Sequence, residues 1–337
     1  MRSRLRPPVA LTLVALLGLL LVAGVVGRAG RHPETSAASP PARAAIDATQ
    51  QVMTPTVQGV AHAPYLVEAM PPISLKPDLP LGGKRIFGHH RFLVAYYGTA
   101  ETGSMGVLGQ SAPDTMQRRL MRAARPFREP GEQIQPVYEL IVTVADASPG
   151  PDHDFSHDIP ASYVRRYLRA AHRHHALLLL DLQTGRADFP SVARRWAWAL
   201  QDPSVGLALD PEWRMGPHQV PARVVGYVRA REVNRTSLWL SRLVESHGLP
   251  QKLFVLHQFR LSMLPDVGRI VHRPGLAMVQ HTDGFGTRGQ KLATYHAVAR
   301  PSQFRQGFKL FYHWDVKRFT PQEVRRIKPR VSFVSYQ

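Results

Sequence analysis

From residue 91 to the C-terminus, short apolar runs alternate with stretches whose apolar residues recur at helical spacing. The runs read RFLVAYYG, PVYELIVTVA, ALLLLDLQTG, VGLALDPEW, KLFVLHQF, LAMVQHTDGFG, GFKLFYHWD and VSFVSYQ. They predict eight strands, at 91–98, 136–145, 176–182, 205–211, 252–258, 276–282, 307–314 and 331–336. Helices are predicted between them at 114–125, 160–175, 189–200, 237–247, 287–299 and 321–327, with only a weak helical pattern over 260–274. Asp114 and Thr320 stand where helix N-caps belong, and Gly248 where a C-cap belongs. This cadence is that of an α/β fold, the (β/α)8 TIM barrel. The sequence ends just after the last strand, so the eighth helix is expected to be missing.

Two loops are long. The one after the second strand, ADASPGPDHDFSHDIP, is rich in turn residues; the one after the fourth, RMGPHQVPARVVGYVRAREVNRT, holds an apolar stretch suited to a small hairpin. In the latter, Asn234 or Thr236 is expected to cap the next helix, or Glu232 and Asn234 to return into the barrel mouth.

The N-terminal part has a different pattern. Arg2, Arg4 and Arg6 precede VALTLVALLGLLLVAGVVG at 9–27. A basic flank followed by about 19 apolar residues is an export signal, just long enough to span a bilayer as an anchor. Residues 1–30 are therefore read as a signal anchor or a cleaved signal peptide, which places the remainder outside the cytoplasm. Residues 31–85 are rich in Ala, Pro, Ser and Thr without sustained periodicity, and read as a linker. The barrel is expected over 86–337. Whether the end of the linker plugs the barrel below the first strand is left open by the pattern.

Composition narrows the function classes. With no cysteine in 337 residues, disulfides, thiolate catalysis and cysteine metal sites are excluded. The formal charge is +19, much of it on arginines in the predicted helices, such as Arg118, Arg119 and Arg122, Arg165, Arg166 and Arg169, and Arg325 and Arg326. Such an exterior either attracts a polyanion or is simply a solvated surface. No nucleic-acid motif accompanies it, so nucleic acid is not an expected partner. There is no phosphate-binding glycine loop, no G-x-S-x-G elbow and no H-E-x-x-H. No cofactor or metal is implied.

Candidate chemistry gathers at the strand ends, where barrel enzymes place their sites. They offer Tyr97, Asp181, Asp210, Glu212, His257, Asp283, His313 and Asp315. Side chains alternate along a strand, so if Leu207 and Leu209 face the helices, Asp210 and Glu212 face the mouth together. By the same parity Lys309, Phe311, His313 and Asp315 share a face, as do Asp181 and Gln183. Glu139 and Lys309, both mid-strand, are expected to satisfy each other lower in the lumen. The catalytic candidates are Glu212, Asp210, Asp315 and Asp181. Those for substrate binding are Tyr97, Trp213, His257, Gln258, Asp283, His313, Trp314 and Tyr336.

The LDPE segment at the fourth strand resembles the D-x-E strand motif of chitinase-like and lysozyme-like glycoside hydrolase barrels, and the β4/β7 carboxylate pairing resembles a wider group of such hydrolases. The full D-x-x-D-x-D-x-E run and the Asn-Glu pair of those families are absent, and the seventh strand offers Asp315 in place of Glu. Segments such as LLLDLQTGRADF and LFVLHQF also resemble those of uncharacterised exported bacterial barrel proteins. The hydrolase resemblance implies that Glu212 is the general acid, supported by Asp210, with Asp315 or Asp181 as nucleophile or base. The expected partner is a cell-envelope or environmental glycan, with the membrane contacted through the N-terminal segment. The alternative is a non-catalytic, surface-anchored barrel that binds glycan or an anionic envelope polymer.

Overall fold

The computed structural model describes residues 78–88 and 90–337, which form a closed eight-stranded parallel barrel flanked by helices. Its strands are β1 (Arg91–Thr99), β2 (Gln133–Ala145), β3 (Leu177–Leu182), β4 (Val205–Leu209), β5 (Lys252–Gln258), β6 (Leu276–Thr282), β7 (Arg305–Leu310) and β8 (Val331–Tyr336). Each pairs with the next, and β8 closes on β1 through Leu93↔Phe333 to Tyr96↔Tyr336. A short accessory strand, Ser156–Asp158, lies antiparallel on the end of β2.

Seven α-helices occur among the described residues: α1 (Pro113–Ala124), α2 (Ala161–Arg173), α3 (Phe189–Arg195), α4 (Ala197–Leu200), α5 (Ala230–Ser246), α6 (Arg288–Val298) and α7 (Pro321–Arg326). None follows β8, and the crossing from β5 to β6 runs through two 3-10 turns, Leu261–Met263 and Val267–Arg269. Local chemistry sets the helix starts. Thr287 with Gln290, and Thr320 with Glu323, form reciprocal capping boxes on α6 and α7. Gly248, at φ +58°, turns the chain out of α5. Asp114 is not a cap: α1 starts one residue earlier, at Pro113, and the Asp114 carboxylate instead holds Arg173 and His174 at the end of α2. Asn234 and Thr236 lie inside α5, whose first amide, Ala230 N–H, is capped by Asp266 at 2.8 Å. Glu232 turns away from the mouth, accepting from Phe189 N–H and pairing with Arg214, both at 2.9 Å. The long segment before α5 contains turns and no hairpin.

The strand parity sorts two cores. Leu93, Ala95, Val137, Leu177, Leu179, Ala208, Leu253, Val255, Ala277, Val279 and Phe333 fill the lumen. Their neighbours on alternate positions, such as Leu178, Leu207, Leu209 and Phe254, pack outward against the helices. The lower end of the lumen is closed by Leu79 and Ile86, with Phe87 packed beside them, so the end of the linker plugs the barrel. Higher in the lumen Gly307 leaves room for the His281 ring, because a Cβ at 307 would stand 2.0 Å from its Nδ1. Among the described residues no helix is long and apolar enough to cross a membrane. The apolar run 9–27 and most of the linker lie outside the described residues.

Candidate functional site

Above the apolar layers, the strands deliver polar groups to the C-terminal mouth. Tyr97 comes from β1, Glu139 and Ile141 from β2, Asp181 from β3, His257 from β5 and Lys309 from β7. Just beyond the strand ends stand Gln183, Asp210, Asp283, Phe311 and Gln337. Glu212 sits in a 3-10 turn, Pro211–Trp213, that continues β4 and keeps both acids of the D-x-E directed inward. The mouth holds a small, partly open cavity of about 80 Å³. Its polar lining includes Tyr97, Gln183, Glu212, Asp283, Lys309 and Gln337; its walls are Trp213, Phe259, Phe285, Phe311 and Trp314, with Met105 and Ile141.

The buried charges form one connected group. His257, fully buried, places Nε2 3.1 Å from Glu139 Oε1 and Nδ1 3.1 Å from Asp283 Oδ2. Burial alone would drive this imidazole neutral, but carboxylates on both nitrogens overcome it and hold the ring as imidazolium. Lys309 Nζ lies 3.9 Å from Asp283 Oδ2 and 3.4 Å from the centre of the Tyr97 ring. Burial works against ionisation of Asp283, yet His257, Lys309 and Lys291 outweigh it, and its carboxyl lies below the usual aspartate range. Glu212 shows the opposite balance. Burial, then the charge of Asp283, raise it to about 8 despite Lys309 and His257. Asp210 is pushed well up by burial and by Glu212 and Asp181, and Asp181 is raised to about 6, chiefly by burial. The Tyr97 hydroxyl accepts from Gln183 Nε2 at 3.2 Å and stands 3.5 Å from Asp210 Oδ2.

Of the residues expected at the site, Tyr97, Glu212, Trp213, Asp283 and Trp314 line the cavity. Asp210 lies against it, with one carboxylate oxygen within 4.8 Å of those of Glu212 and Asp283. Asp181 and His257 are fully buried and absent from the lining; neither Asp181 oxygen has a hydrogen-bond partner.

Five expectations are corrected. Asp315 does not share the mouth with Phe311, because β7 stops at Leu310 and a turn re-aims the chain. Its carboxylate instead pairs with Lys291 of α6 at 2.9 Å and accepts from Phe311 N–H at 2.9 Å. His313, in the same turn, is exposed and outside the lining. Gln258 occupies the outward face of β5, where its side chain meets Gln280 at 2.7 Å. Tyr336 faces outward from β8 and stacks on Tyr312 at 5.2 Å; the inward residues there are Ser335 and Gln337. Glu139, moreover, is satisfied by His257 rather than by Lys309.

Sequence reasoning missed Phe259, Phe285, Met105 and Gln337 as lining residues. Met105 belongs to a 3-10 turn after β1 with no pattern of its own. Phe285 lies in a loop whose DGFG reads only as a turn. Gln337 carried a usable signal, since parity from Phe333 points it inward.

Asp210, Glu212 and Asp283 also form the sole group among the described residues whose ligand atoms converge as a metal site requires. The polar loop at 153–158 gathers no such set: His157 is taken up by Asp146 at 2.6 Å and Glu101 at 3.2 Å. No protein-family profile matches the sequence, and no curated protein matches it.

Proposed function

We propose that this barrel is a glycoside-hydrolase-like enzyme in which Glu212 protonates the leaving oxygen and Asp283 is the opposed carboxylate. One observation carries the reading: two carboxyl groups with oxygens within 4.8 Å of each other line one cavity, and only Asp283 of the two is paired with His257 and near Lys309. Glu212, raised to about 8, keeps its proton at neutral pH. Asp283 is held ionised by His257 and Lys309. Glycoside cleavage needs such a division between acid and carboxylate. Asp283 takes the nucleophile-or-base role expected of Asp315 or Asp181. Asp210 and Asp181 set the field beneath. Trp213 and Trp314 offer faces for a sugar ring.

The basic flank and apolar run of residues 1–27 support export, with the barrel anchored at or released from the membrane. A cell-envelope or environmental glycan is the substrate that such a location supplies. The test is hydrolysis of peptidoglycan and a panel of polysaccharides by the full-length protein beside Glu212→Gln. Cleavage that falls about 10²–10⁴-fold in the variant is expected. Binding of a glycan with no cleavage by the unmodified protein would replace this reading with the non-catalytic one.

A further inference from the structure

The upper lumen collects five carboxyl groups, those of Glu139, Asp181, Asp210, Glu212 and Asp283, around His257 and Lys309. Both cations are already engaged: His257 bridges Glu139 and Asp283, and Lys309 lies between Asp283 and the Tyr97 ring. Two buried oxygens, Asp210 Oδ1 and Asp283 Oδ1, have no hydrogen-bond partner; Asp283 lines the cavity directly, and an Asp210 oxygen lies within 4.8 Å of one of Asp283. Unmade acceptors of this kind are costly unless a donor arrives. The walls above them are aromatic faces, which attract a cation and exclude water.

We propose that the cavity takes an amine-bearing sugar unit whose ammonium is held by Asp210 and Asp283. The sugar rests on the glycosidase reading; the amine rests on the unpartnered acceptors and the aromatic walls. An ammonium carries three N–H donors in tetrahedral directions. At about 2.8 Å each, their acceptors stand about 4.6 Å apart. The oxygens of Asp210, Glu212 and Asp283 all lie within 4.8 Å of one another, close enough for one ammonium to reach more than one of them. Two bonds, to Asp210 and Asp283, leave Glu212 to face the glycosidic oxygen. An N-acetylated amine fits poorly, because its neutral amide has one N–H and brings a carbonyl oxygen toward carboxylates. A bare divalent ion fits poorly as well: the aromatic walls supply no ligands, and Lys309 already stands 3.9 Å from Asp283. The small size of the cavity, in a protein of formal charge +19, suits a chain end or single unit rather than a polycation lying across the surface.

The test measures binding of glucosamine and galactosamine, their N-acetyl forms and the parent hexoses to the full-length protein at pH 6. Trp213 and Trp314 fluorescence provides the readout, with Mg²⁺, Ca²⁺ and Mn²⁺ as competitors. The amines are expected to bind at least about tenfold tighter than the other sugars. Asp210→Asn should remove most of that preference, bringing the amines to within about threefold of the hexoses. Asp210 makes no ion pair, so the variant is expected to fold, which thermal unfolding checks; the selectivity of the unmodified protein decides the matter on its own. Equal binding of N-acetylated or neutral sugars overturns the proposal. So does displacement of the amine by a divalent ion whose binding is lost in Asp210→Asn. Amine-selective binding without cleavage of any glycan would sink the hydrolase reading and leave this one standing. Cleavage of neutral glycans with no amine preference would do the reverse.

Discussion

Glu212 and Asp283 share a cavity and differ in their neighbours, and that difference decides which keeps a proton. Asp283 touches an imidazolium and lies near an ammonium; Glu212 faces Asp283 itself. The consequence reaches stability. Glu212 is raised from an ordinary value of 4.5 to about 8, so between those values the folded protein binds more proton than the unfolded chain. Its contribution is fully present below pH 4.5 and is lost progressively until pH passes about 8. Glutamine has no proton to lose. Glu212→Gln is therefore expected to melt close to the unmodified protein at pH 5 and to gain on it steadily to pH 8, by on the order of 5 °C, then level off. Paired thermal melts across pH 5–9 check this. A difference that does not change with pH would mean that Glu212 ionises as an exposed carboxylate does.

At the scale of elements, the ends of strands decide which side chains reach the mouth. Beyond β4 the 3-10 turn Pro211–Trp213 keeps the D-x-E directed inward, whereas beyond β7 the turn after Leu310 carries Asp315 to Lys291 on α6. That pair is buried, and Lys291 also donates to the carbonyls of Gly284 and Lys309, so it ties α6 to both flanking strands. Asp315→Asn should cost roughly 3 kcal/mol by leaving Lys291 without its counter-charge. Cleavage by the protein that remains folded should change less than about threefold, since Asp315 lies outside the cavity. Loss of turnover without loss of stability would return Asp315 to the catalytic set. These strand ends also mark how far the sequence could be read. Apolar runs located all eight strands, because strands buried on both faces leave long unbroken hydrophobic segments. Parity within a strand directed Asp181, Asp210 and Lys309 inward, as the structure has them, and would have excluded Gln258 and Tyr336. It failed for His313 and Asp315, because alternation holds only while the backbone stays extended and nothing in FYHWD marks the turn. Two of the aromatic walls escaped for a related reason: Phe259 and Phe285 reach the cavity from loops, whose direction is set by tertiary packing.

At the scale of the whole molecule, two fields of opposite sign oppose each other. The chain carries a formal +19, with exposed arginines such as Arg165, Arg166, Arg169 and Arg326 on the outer helices, while the mouth concentrates carboxylates at its centre. A cationic ligand is thus repelled at long range and attracted at short range. Salt separates the two contributions, because the Debye length falls from about 30 Å at 0.01 M to about 10 Å at 0.1 M while buried pairs are screened far less. If an amino sugar is the ligand, its association rate should rise severalfold over that range as the exterior is screened. Its dissociation rate, set by Asp210, Asp283 and the aromatic walls, should hardly move. Stopped-flow tryptophan fluorescence measures both rates. Anionic polymers captured by the exterior should show the opposite trend, binding less as salt rises. An association rate for the amine that falls with salt would mean that the carboxylates govern the field outside the mouth as well as within it. The surface arginines would then be locally neutralised around the rim, and the exterior charge would have no part in selecting what enters.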